Sequence, residues 1–151
     1  MKTLKLLLLI YLLAPSISFA QILKLGDLEI EFGKGIEKYK NLWGENDQLE
    51  VDDLNMNAYE GENINGIFYK NRLFQIILWF GNDSIYSMRT AVDEILSVHS
   101  PIKIEDVIEY DEPAQLIYYK VDDFSITIHK YSFNTSYYIT SIKYANKLKA
   151  R

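Results

Sequence analysis

The chain has no cysteine among its 151 residues. That excludes disulfides, thiol nucleophiles and thiolate metal sites, and also the modified cysteine that anchors a bacterial lipoprotein. With only two histidines and no H-E-x-x-H spacing, a zinc centre lacks its ligands. The seven glycines form no phosphate-cradling loop. Positive charge is short as well: 16 Lys and Arg against 21 Asp and Glu give a formal charge of −5. Nucleic acid and anionic membrane both need clustered cations, so neither is expected as a partner.

The plainest positive signal is the opening MKTLKLLLLIYLLAPSISFAQ. Lys2 and Lys5 precede an apolar run from Leu6 to Leu13, and the small residues Ser18 and Ala20 stand just before Gln21. This is the pattern of a secretory signal peptide, residues 1–20, with cleavage expected after Ala20. The run is shorter than the ~20 residues that span a bilayer, so no membrane anchor is expected. Cleavage leaves 131 of the 151 residues, one domain's worth, and removal of two lysines takes the charge from −5 to −7. A cysteine-free exported chain rich in Lys, Asn, Ile and Tyr fits a bacterial periplasmic or secreted protein.

The stretch DLNMNAYEGENI, 53–64, sets Asp53, Asn55 and Asn57 at alternate positions, as the first half of an EF-hand loop does. Its sixth position is Ala58 where glycine is needed, and its twelfth is Ile64 where a bidentate glutamate is needed. A strand over Leu49–Ala58 with a polar outer face explains the alternation instead, and no metal or other cofactor is expected.

Further strands are expected at Leu28–Phe32, Ile67–Lys70, Leu73–Phe80, Ile102–Tyr110, Leu116–Val121, Phe124–Phe133 and Tyr137–Tyr144. Helical spacing marks Ile36–Trp43 and Ser84–His99, the second closed by Pro101, and a frayed tail is expected from Asn146 to Arg151. The expected fold is α+β: a single domain over 21–145 with an antiparallel β-sheet and two helices packed on one face. IFYKNRLFQIIL (67–78) also matches IYYKVDDFSITI (117–128) at an offset of 50, which admits a tandem α-β-β-β duplication. In architecture alone this resembles the beta-lactamase inhibitor protein, built from tandem helix-and-sheet units with an aromatic concave face.

Pairing Val121 with Phe124 turns Tyr118, Lys120, Ser125, Thr127, His129 and Tyr131 away from the helices. A hairpin turning at Asn71-Arg72 does the same for Phe68, Lys70, Gln75, Ile77 and Trp79. Phe68, Ile77, Trp79, Tyr118, His129 and Tyr131 are therefore the candidate partner-binding residues, since Trp and Tyr bury much area and lose little side-chain entropy on binding. No catalytic residue is assigned. Neither histidine lies in a nucleophile-elbow sequence, His99 has an ordinary role at a helix C-terminus, and the paired acids sit at turns. The expectation is a small exported inhibitor or immunity-type protein with a protein partner. The alternative is an envelope accessory domain that binds a peptide or protein; a small hydrolase ranks third. Asp83-Ser84-Ile85 resembles a bacterial O-glycosylation acceptor, and Asn82-Asp83-Ser84 and Asn134-Thr135-Ser136 are formal N-glycosylation sequons.

Overall fold

The computed structural model describes residues 21–44, 47–51, 55–80 and 86–149. The expected signal peptide, Asp53 and the glycosylation acceptors Asn82 and Ser84 lie outside them.

The domain is mostly sheet. Strands β1 (Gln21–Leu25) and β2 (Leu28–Phe32) form a hairpin through Gly26, whose φ of 64° suits a tight turn. A 3-10 turn, Ile36–Tyr39, follows. Then come β3 (Gln48–Leu49), β4 (Met56–Glu60), β5 (Ile64–Tyr69), β6 (Arg72–Phe80) and helix α1 (Tyr86–Ser97). The second half holds β7 (Lys103–Glu109), β8 (Glu112–Val121), β9 (Phe124–Lys130), β10 (Thr135–Ser141) and helix α2 (Ile142–Lys149).

The eight strands β3 to β10 make one antiparallel sheet in the order β3-β4-β5-β6-β10-β9-β8-β7. It is two meanders of four strands, β3–β6 and β7–β10, whose last strands pair at the centre. The offset of 50 does not follow that arrangement. It lays β5 and β6, third and fourth in their meander, on β8 and β9, second and third in theirs.

One face of the sheet, the inner face, carries the core. Ile76, Leu78, Ile126, Ile128, Tyr137 and Ile139 project from the central strands to meet Leu25, Ile30 and Phe32 of the hairpin, Tyr39 and Trp43 from the 3-10 region, and Met88, Val92 and Leu96 of α1. The last three fall at i, i+4 and i+8, one stripe of the helix. The Trp43 indole Nε1–H donates to the Ile64 carbonyl at 2.9 Å, satisfying its polar edge inside the core. At the end of α1 the His99 Nδ1 lies 2.8 Å from the Ile95 carbonyl, the expected helix-end role.

Several differences from the sequence reading are local, and the first is that the strand expected over Leu49–Ala58 is two strands, β3 and β4, paired antiparallel with Leu49 opposite Ala58. The expected helix over Ile36–Trp43 shrinks to a four-residue 3-10 turn, although Tyr39 and Trp43 still enter the core on the expected side. The expected strand Tyr137–Tyr144 ends at Ser141, and the chain is helical from Ile142 to Lys149 where a frayed tail was expected from Asn146. Finally, the β5–β6 turn is Lys70-Asn71, one residue earlier than expected, with φ of 48° and 56° at its two residues. Both φ are positive, as a type I′ hairpin turn requires.

That slip corrects one candidate site residue. Phe68 pairs with Leu73 instead of Gln75, faces inward, and has no exposed surface. Its ring lies 5.9 Å from Trp43, 6.3 Å from Tyr39 and 5.4 Å from Tyr59. Ile67 and Tyr69 exchange places with it and are only half-buried.

Candidate functional site: the outer sheet face

Ladder pairing carries the outer face across the sheet in rows. Trp79 of β6 stands opposite Ser136 of β10, which stands opposite His129 of β9, which stands opposite Leu116 of β8 and then Glu105 of β7. The next row runs Ile77, Tyr138, Thr127, Tyr118 and Lys103. Ile77, Trp79, Tyr118 and His129 are thus brought together on one face; Tyr131, just past the end of β9, joins them with its ring centre 6.5 Å from that of His129, and Phe68 is not among them. All five are partly accessible, and no aliphatic or aromatic member of the set belongs to the core cluster.

Tyr138 joins them, a residue that the sequence pattern does not single out. Its ladder partners Ile77 and Thr127 both face outward, and only the pairing of β10 between β6 and β9 reveals it.

The face is held by side-chain contacts. One carboxylate oxygen of Glu109, at the end of β7, accepts from the Tyr131 hydroxyl at 2.6 Å and lies 2.9 Å from His129 Nδ1. The His129 ring lies over Tyr138, centroids 4.3 Å apart and planes inclined by 37°. Tyr118 sits beside the Lys103–Glu105 ion pair, with Lys103 Nζ 5.7 Å from its ring centre. Ala114, Leu116 and Ser136 are buried although their side of the sheet is the outer one.

The electrostatics follow from the contacts. The Tyr131 hydrogen bond, and after it the His129 contact, hold the Glu109 carboxyl below its ordinary value. Burial first and then Glu109 push the Tyr131 hydroxyl up, so it stays a donor. Burial, with Tyr110 and Glu109 nearby, raises Tyr138 as well.

Ser136, directly across the ladder from His129, is 3% exposed, so its hydroxyl is not presented to a substrate. Among the described residues no three His, Asp or Glu side chains are grouped to hold a metal. No described helix is long and apolar enough to cross a membrane.

Compared with protein-family models, with curated proteins and with solved structures, the chain matches none of them.

Proposed function

We propose that this is a small exported protein, an inhibitor or immunity-type protein, that binds a protein partner through the outer face of its large sheet. The observation that carries the proposal is the aromatic band Trp79, Tyr138, His129, Tyr131 and Tyr118, spread over four adjacent strands and outside the core. Large rings held by their neighbours offer much area at little entropic cost, which is what hot-spot residues need. Glu109 fixes two of them in place before any partner arrives, and a preorganised surface binds at lower cost.

Export rests on the sequence of residues 1–20. It is supported by Gln21, the first residue after the expected cleavage: Gln21 is already buried in β1, and its side-chain oxygen accepts from the Ser141 hydroxyl at the end of β10. A chain cut there would begin at an anchored strand.

The test is a capture experiment in the native extracellular or periplasmic fraction, run in parallel with wild-type protein and Trp79→Ala. The expected result is a protein retained by the wild type and lost by the variant, with unchanged melting. A partner held equally by both would remove the outer face from the reading.

A further inference from the structure

The large sheet ends at β7, whose outer edge is unpaired among the described residues. The layer that covers the inner face does not extend this far. Ile104 lies in the row of Ile117, Ile128 and Tyr137, yet it is 55% exposed, and Ile108 on the same side is 70% exposed. Ile102 and Tyr110, just beyond the strand ends with the same even spacing, are 71% and 91% exposed. An edge strand with four exposed apolar residues is one that natural sheets ordinarily protect.

The segment Ile102–Tyr110, IKIEDVIEY, is close to self-complementary when read antiparallel about Asp106. Against a second copy, Lys103 falls opposite Glu109 and Ile104 opposite Ile108, each twice, while Ile102 reaches Tyr110 at both ends. Moving the centre to Val107 loses this: Glu109 then meets Glu105, and Ile108 meets Asp106. We infer that two copies of this chain associate through their β7 edges, antiparallel and centred on Asp106, to form one continuous sheet of 16 strands from the two sheets of eight. The contact is isologous, the same patch on both copies, and closes at two. Two pairings are poor: Glu105 falls opposite Val107, twice, and Asp106 meets itself, two like charges on the two-fold axis; both hold the association weak and reversible.

The absence of cysteine makes the geometry directly testable. Residues directly opposite in an antiparallel pair have Cα atoms roughly 4.5–5.5 Å apart, within disulfide range. Protein purified after expression of the whole chain, carrying Asp106→Cys, should cross-link under mild oxidation at least about tenfold faster than the same protein carrying Lys120→Cys, an exposed position on the other side of the sheet. By sedimentation, the unmodified protein should dimerise between micromolar and millimolar concentration. Ile108→Lys should weaken the dimer about tenfold or more, and Asp106→Asn should tighten it, both with melting unchanged. Equal cross-linking of the two cysteine variants would overturn the inference, as would a monomer at every concentration or a dimer indifferent to Ile108→Lys.

Discussion

Phe68 and Trp79 lie on adjacent strands of one sheet, and the two faces assign them opposite fates. Phe68 has no exposed surface and meets three aromatic rings, so Phe68→Ala both loses its transfer energy and opens a cavity whose rigid lining cannot collapse. Such truncations cost about 3–5 kcal/mol, and the edge-to-face contacts with Trp43 and Tyr59 place this one near the upper end. Against a typical total of about 5–15 kcal/mol, that removes a large share of the stability. Trp79 is partly exposed and outside the core, so Trp79→Ala should cost about 1 kcal/mol or less. Urea unfolding followed by far-ultraviolet circular dichroism reads both without relying on tryptophan emission. A Trp79→Ala cost within about 1 kcal/mol of the Phe68→Ala cost would mean that Trp79 is packed in solution and would refute the free outer face. A second check uses the two tryptophans of the chain. With Trp43 replaced by Phe, the remaining indole should be readily quenched by acrylamide, whereas Trp43 alone, 1% exposed, should be shielded.

Other outcomes follow from particular contacts. A Cβ at Gly66 would come within 2.8 Å of the Trp43 ring and 3.0 Å of Phe68, so Gly66→Ala should lower the urea midpoint by an equivalent of about 1–3 kcal/mol; a neutral result would place Trp43 elsewhere. Because the Glu109 carboxyl is held low in the folded state, its contribution is complete above about pH 5 and is lost as pH falls through the folded value. Glu109→Gln should therefore destabilise at neutral pH and show a shallower acid limb than wild type in urea midpoints taken across that range. An unchanged acid limb counts against the Tyr131–Glu109–His129 cluster. Burial pushes Tyr39 and Tyr137 up to about 12, so stability should fall as pH climbs from about 10 through that value, with Tyr137→Phe removing part of the fall. Mass spectrometry of the exported protein should find Gln21 at its N-terminus, and retention of residues 1–20 would end the export reading.

Much of this arrangement is legible in the chain because alternation is a strong signal wherever one face is buried. Phe124, Ile126 and Ile128 alternate with Ser125, Thr127 and His129, and the structure keeps that division. The hairpin closing on Val121 and Phe124 was readable because two adjacent aspartates mark a turn, and Asp122 does adopt a positive φ of 49°. Helix α1 was equally plain from Met88, Val92 and Leu96. What stayed hidden lacks such marks. Glu112 and Pro113 read as turn residues, yet they open β8, because the actual turn is Tyr110-Asp111 with φ of 52° and 63°. No glycine announces it. The C-terminal helix follows a strand with no break between them, so its start at Ile142 has no punctuation in the sequence.

The β5–β6 hairpin shows why one such error did not spread. Moving the turn to Lys70-Asn71 shifts the pairing by one, which by itself would invert every residue of one strand relative to the other. The ladder instead skips Phe74: Phe68 pairs with Leu73 and Ile67 with Gln75. This extra residue is a β-bulge, and it resets the alternation within β6. Without it, an inward Leu73 would force Gln75, Ile77 and Trp79 inward too, placing an amide and an indole where Ile76 and Leu78 now have no exposed surface. With it, Leu73, Ile76 and Leu78 all face the core and Trp79 faces out. The bulge therefore reconciles two demands on one strand, a close-packed start under the β1–β2 hairpin and an aromatic outer face further along, and Phe68 alone among the six candidate residues lies on the side of the bulge where the sequence pattern misleads.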